Sequence, residues 1–219
     1  MTDQKRLRAD AERNRIRLLD AAAELFAAKG LSVGLDEIAH HAGVGVATAY
    51  RRFPDKRQLI EELLDERVDR MVELAEHALA ASDPWDGLAE FLDQGTELQV
   101  LNRGVREIVL GSDHATALSD RARARVEPLI GQLLDRAQAS GAVRPDLVLT
   151  DLPLIQFMIS AAADLTSPRA PDLWRRSLAL IIDGLRTPEP QPLPQPGLSP
   201  NELAAAVQDA PAPTSQPGC

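Results

Sequence analysis

One stretch constrains this chain more than any other: residues 35–56, LDEIAHHAGVGVATAYRRFPDK. It reads as two short helices joined by a tight turn, followed at once by the start of a third. Ala39 and Gly43 stand four apart. The first must be small because a second helix crosses close to it. The second must permit the turn, where a positive φ costs glycine little. Ile38, Ala42, Val44 and Ala49 supply the apolar contacts between the two helices, which leaves Thr48, Tyr50 and Arg52 to project from the second. A polar row on an exposed short helix suits the major groove of DNA. An ordinary helical hairpin can share the Ala-x-x-x-Gly spacing, but not the whole run around it.

That run, GVGVATAYRRFPDK from Gly43 to Lys56, closely resembles the recognition segment of tetracycline-repressor-like (TetR-family) transcription regulators, which typically reads A-G-V-S-x-x-T-L-Y-x-H-F-x-x-K. The resemblance extends upstream through Ala21-Ala22-Ala23-Glu24-Leu25-Phe26 and Gly30, so that it covers roughly residues 10–70. Gly45 stands where the family usually has a capping Ser, at a cost of a few tenths of a kcal/mol. Ala49 replaces a usual Leu, and Arg52 a frequent His. The resemblance implies an all-α fold, with an N-terminal three-helix helix-turn-helix DNA-binding domain followed by a helical ligand-binding and dimerisation domain. It also implies DNA contacts at Gly45, Val46, Thr48, Tyr50, Arg52 and Lys56.

A formal charge of −9 looks wrong for a DNA binder, but its distribution answers the objection. Residues 1–56 hold 10 Lys and Arg against 8 Asp and Glu, a balance of +2, and residues 57–219 hold 14 against 25, a balance of −11. The first segment can approach phosphates, particularly through Lys5, Arg6, Arg8, Arg13, Arg15 and Arg17. The organisation expected is a basic arm over 1–9, a DNA-binding domain over 10–56 with its recognition helix at about 45–52, a helical regulatory and dimerisation domain over 57–187, and a Pro-rich disordered tail over 188–219. Arg outnumbers Lys 21 to 3, as in a GC-rich bacterial genome. The chain shows neither an N-terminal apolar run nor an apolar stretch of about 18 residues, so neither a signal peptide nor a membrane span is expected. The single Cys219 fits a reducing cytoplasm.

Taken in order, the first helix is expected from Asp10 to Lys29, with Ile16, Leu19, Ala23 and Phe26 as its buried stripe and Gly30 as its stop. The second covers Leu35–His41. Lys56 opens the fourth helix, where a cation opposes the helix dipole and calls for a compensating partner such as a DNA phosphate. That helix continues to about Ala81. Asp83-Pro84 starts the fifth, striped by Leu88, Phe91, Leu92, Leu98 and Leu101. Gly95, in its middle, signifies either close helix packing or room for a ligand. Residues 102–125 are less regular, with a break at Gly111-Ser112-Asp113. A helix from Pro128 ends at Ser140-Gly141.

The two helices that follow, at about 151–165 and 172–186, bury more apolar surface than one small domain needs, which marks an interface. Leu154, Ile155, Met158, Leu178, Ile181, Ile182 and Leu185 are its candidates, and the resemblance implies a four-helix dimer bundle there. The tail carries 9 of the 16 prolines over 188–219, and only its NELAAAVQ segment suggests two helical turns. For an effector pocket, Phe91, Gln94, Leu98, Leu101, Arg106, Gln156, Phe157 and Trp174 combine apolar walls with a few polar groups.

The sequence has no nucleophile elbow, phosphate-cradling glycine loop or HExxH, and its histidines lack ligand spacing, so an enzyme, a cofactor and a metal site are not expected. The reading is a homodimeric regulator, usually a repressor in that family, released by an unknown small-molecule effector from a near-palindromic double-stranded operator. The alternative is a dimeric DNA-binding regulator without a small ligand, gated by a protein partner.

Overall fold

Helix follows helix along the described residues, and most breaks between them fall at glycines and prolines. The structure, a computed structural model, describes residues 2–101, 124–186 and 189–209. Among these the regular elements are α1 (Thr2–Lys29), a short 3-10 turn at Gly30–Ser32, α2 (Leu35–His41), α3 (Val46–Arg52), α4 (Lys56–Leu79), α5 (Pro84–Leu101), α6 (Glu127–Ala139), α7 (Asp151–Thr166), α8 (Leu173–Leu185) and α9 (Pro200–Gln208). No strand occurs among the described residues. They form two compact units: residues 2–67, and the remainder from Val68 onward. α4 contributes its first half to one and its second half to the other.

In the N-terminal unit, α1 packs on α2, and α2 on α3. The helix begins at Thr2 rather than Asp10, so residues 2–9 extend α1. The physical reason is that TDQKRLRA contains neither Gly nor Pro, and its Lys, Arg, Leu, Gln and Ala favour helix. The buried face of α1 is Leu18, Leu19, Ala21, Ala22, Leu25 and Phe26, whereas Ile16 is 46% exposed. The sequence stripe therefore had the right period but began one turn too early. α2 has the bounds expected of it.

In the second unit, α5 packs against α6, α7 and α8, and α7 against α8. Asp83 caps α5 through the backbone N–H of Trp85 (2.7 Å), a contact of about 1 kcal/mol. Arg136 on α6 donates to the carbonyls of Leu79 and Ala81, and so satisfies backbone at the end of α4. The core joins Leu88, Phe91 and Leu92 of α5 to Leu133 and Leu134 of α6, Leu152, Ile155 and Ile159 of α7, and Trp174 and Leu178 of α8.

The segment from 189 to 209 corrects the expectation of a disordered tail. Arg144 Nη2 donates to the Gln191 carbonyl (2.7 Å), Thr150 Oγ1 to the Leu198 carbonyl (2.6 Å), and the Leu193 amide to Asp146 Oδ2 (3.4 Å). Gly197 lies so close to Val148 that a Cβ would collide with it. Proline-rich chain needs few backbone partners, so three or four anchors can hold it in an extended path. α9 then begins in a full capping box: Ser199 Oγ accepts from the Glu202 amide, and Glu202 accepts from the Ser199 amide (2.8 Å).

Candidate nucleic-acid interface and effector site

The turn between α2 and α3 is closed by two backbone bonds. The Gly43 amide donates to the His40 carbonyl (3.2 Å) and the Val44 amide to that of Ala39 (2.9 Å). This is a Schellman closure, and Gly43 meets its left-handed requirement at φ +63°. Beneath it Ile38, Ala39 and Ala49 are wholly buried and Val44 nearly so, while Ala42 is half-buried. Gly45 caps α3 with no side-chain hydrogen bond, as expected when it stands in place of serine.

Because Ala49 points inward, the 100° step of a helix turns Ala47 and Arg51 outermost, with Thr48 and Tyr50 flanking them. Tyr50 and Arg51 are exposed and Thr48 is half-buried. A hydrogen bond with Asp36, and then the charge of that carboxylate, raises the Tyr50 phenol above its ordinary value. Arg52 lies nearer the buried side. Its Nη2 donates to Glu62 Oε1 (2.6 Å), and its guanidinium sits 4.9 Å from the Phe53 ring. Phe53 itself is buried and anchors the C-terminal end of α3. The sequence reading omitted Arg51, although a helical wheel centred on Ala49 would have found it.

Lys56 is half-buried, and its compensating partner is inside the protein. Its Nζ donates to the Leu31 carbonyl and sits 5.4 Å from the Phe26 ring. Burial lowers its pKa below the ordinary value. Asp55 caps the same helix through the Gln58 amide (2.9 Å). Arg15 of α1 is bound to Glu62 of α4 and lies 3.0 Å from both Glu66 and Glu12. Burial opposes its charge, but the hydrogen bond and charge of Glu62, with Glu66 and Glu12, outweigh that and raise its pKa. Arg15 is thus a brace between α1 and α4. His41 pairs with Glu24 (2.7 Å). No cluster able to hold a metal ion occurs among the described residues, and none of their helices is long and apolar enough to cross a membrane.

In the second unit the pocket candidates separate. Phe91 and Trp174 are core, the latter with the Arg175 guanidinium 4.4 Å from its ring. Gln94 is tied to Glu90 (2.7 Å), and Leu98 and Phe157 are half-buried. Arg106, the break at 111–113 and the side chain of Leu101 lie outside the described residues. Gln156 is 4% exposed, and it belongs to a cluster of which the sequence reading missed three members: Thr96, Gln99 and Ser160. Gln99 Nε2 donates to Gln156 Oε1 (2.6 Å). Gln156 Nε2, Thr96 Oγ1 and Ser160 Oγ have no hydrogen-bond partner among the described residues. Each such orphan costs about 1–3 kcal/mol. A Cβ on Gly95 would lie 2.8 Å from Gln156 Nε2, so this glycine serves a close approach of α7.

Of the interface candidates, Ile155, Leu178 and Leu185 are committed to the protomer's own core. Leu154, Ile181 and Ile182 are half-buried, and Met158 is 58% exposed. Leu165, Leu173 and Leu180 extend the exposed apolar face. α7 and α8 each carry apolar residues both toward their own core and on the exposed side, and spacing alone does not say which of them faces which way.

A tight turn over a buried core that presents one short helix, followed by a larger helical unit with its own core, defines a helix-turn-helix transcription regulator. The comparisons agree. The family profile described as "Bacterial regulatory proteins, tetR family" matches residues 18–63, and that of the "Transcriptional regulator SbtR-like, C-terminal domain" matches 83–187. The chain is similar to the TetR transcription regulatory protein of Mycobacterium vanbaalenii, with 34% identity over 83% of this chain and 99% of that one, at a TM-score of 0.61. It is similar also to the TetR transcriptional regulator SCO0520 of Streptomyces coelicolor, with 29% identity over 80% and 99%, again at 0.61. The HTH-type transcriptional regulator SAR0097 of Staphylococcus aureus is 34% identical over 86 residues, 38% of this chain and 44% of that protein. The chain spans less than half the length of the curated relatives it matches. It belongs to the TetR family: it is a DNA-binding transcriptional regulator and not an enzyme.

Proposed function

We propose that this regulator is a cytoplasmic homodimer that represses from a near-palindromic operator and is released by a small-molecule effector held in its helical unit. The observation that carries this reading is the pairing of an exposed apolar face on α7 and α8 with an unsatisfied polar cluster inside the same unit. The face supports a dimer. One recognition helix covers too few base pairs to single out a genomic site, and two copies about a two-fold axis double the readout.

In this reading α3 enters the major groove. Gly45 and Val46 bring its N-terminus to the backbone, and Thr48 and Tyr50 reach base edges or phosphate. Arg51 stands beside them, with Arg52 and Lys56 at the margin. Effector binding shifts the equilibrium away from the DNA-competent arrangement by as much as its affinities for the two states differ. DNA selection with purified protein, followed by footprinting of the bound site, is the direct test. Two half-sites about one helical turn apart are expected. An asymmetric single site occupied by a monomer would refute the dimeric part.

A further inference from the structure

Where α5 faces α7, two neutral polar rows meet. Thr96 and Gln99 stand three apart on α5, Gln156 and Ser160 four apart on α7, so each pair shares a helix face. The Gln99–Gln156 bond fixes the two rows opposite one another. All four side chains are at least nine-tenths buried, with Thr96 and Ser160 at 0% exposure. Three of their polar atoms have no partner among the described residues. The same two helices give Phe91, Leu92, Ile155 and Ile159 to the apolar core of the unit. A structural network would close on itself, as buried polar groups ordinarily do. Among the described residues this one stops short, and its open valences have a definite chemistry.

Gln156 Oε1 is taken by Gln99, which leaves the Nε2 donors seeking an acceptor. The two hydroxyls can each donate or accept. None of the four carries a charge, so they provide no counter-ion to repay the dehydration of a carboxylate or an amine. A carbonyl acceptor beside an N–H donor completes the set: the carbonyl oxygen accepts from Gln156, and the N–H donates to a hydroxyl of Thr96 or Ser160. We infer that Thr96, Gln99, Gln156 and Ser160 form the polar end of the effector site, and that it takes an uncharged carboxamide or lactam head on an apolar body. The assignment rests on the ligand-responsive reading above and specifies the chemistry of that site. Gly95 belongs to it, since any side chain there would fill the room the Gln156 amide now uses.

The test uses the full chain and two probes of equal length, octanamide and octanoate, titrated by calorimetry. Octanamide is expected to bind at least tenfold more tightly than octanoate. The double variant Thr96→Val/Ser160→Ala removes both hydroxyls at nearly constant shape. It is expected to melt no lower than the parent, because it deletes two orphans, while losing tenfold or more in octanamide affinity. Gln156→Met, which keeps the length and removes the donor, is expected to lose affinity likewise. Octanamide that fails to bind the parent at millimolar concentration, equal binding of the two probes, or equal binding to the parent and all variants would overturn the assignment. So would a double variant that melts well below the parent, since that marks a structural network. The underlying reading has its own arm: release of selected operator DNA by any member of a metabolite panel. Release that persists in the double variant defeats the polar site and leaves ligand response standing. If no panel member releases the parent, ligand response falls as well.

Discussion

Arg52 and Glu62 are joined at 2.6 Å between α3 and α4, while Arg51, the next residue and equally exposed, reaches the Thr48 hydroxyl at 3.5 Å. The two arginines therefore have different work. Arg51→Ala should cost more in operator affinity, about 1–3 kcal/mol if it grips guanine, and should leave melting unchanged. Arg52→Ala should lower the melting temperature as well as affinity. Anisotropy titrations beside thermal melts separate them, and an Arg52→Ala protein of normal stability with the larger affinity loss would reverse the assignment.

Lys56 distinguishes a brace from a phosphate contact. Its ammonium already serves the Leu31 carbonyl and faces Phe26. Lys56→Met keeps the stem and removes the charge-assisted bond, so stability should fall by about 1.5 kcal/mol. If the lysine also meets a phosphate, the salt slope of DNA binding should drop by roughly one. A lower melting point with an unchanged slope identifies a brace alone.

The docked segment after α8 makes truncation costly. Ending the chain at Arg186 removes the anchors on Arg144, Thr150 and Asp146. The freedom the tail regains offsets the lost bonds only in part, so the melting temperature should fall by a few degrees. An unchanged melt would show that ordering cancels the contacts.

Acid should loosen that segment first. The hydrogen bond from Arg144 holds the Asp146 carboxyl below its ordinary 3.8, and the bonds with Ser199 hold Glu202 below 4.5. Depressed values mean that these groups stabilise the fold fully above the ordinary values and lose that contribution as pH falls through the lower folded ones. Hydrogen exchange between pH 6 and 3 should therefore show α9 losing protection below about pH 4, ahead of α7. Uniform protection down to pH 3 would contradict it.

For the dimer, Leu180→Glu is a cleaner probe than Ile182→Glu. Leu180 is 66% exposed, whereas Ile182 also packs on its own protomer's core. A charge at 180 should leave each protomer folded and abolish assembly by burying an unpaired carboxylate. Sedimentation and operator binding both report it. A Leu180→Glu dimer with normal DNA affinity would place the interface elsewhere.

The sequence was most legible where local chemistry is stringent. The bounds of α2, the left-handed Gly43, the Asp83 cap and the buried Phe53 all follow from positions that admit few residue types. It was least legible where partners are remote. Nothing near Gln156 announces that Gln99 lies opposite, 57 residues away. Lys56 read as a cation wanting an anion, yet a carbonyl 25 residues upstream supplied the need. Composition likewise suggested disorder after Arg186, because the anchors that hold that segment lie on another stretch of chain.

Those anchors also bear on the order of folding. Arg144 and Thr150 precede by 47 and 48 residues the carbonyls of Gln191 and Leu198 that they engage. The bonds close loops that contain the whole of α7 and α8, and the entropy of closing such a loop must be met before its contacts reward it. The segment is thus a clasp, whose ends come within reach once the two helices between them have shortened the span.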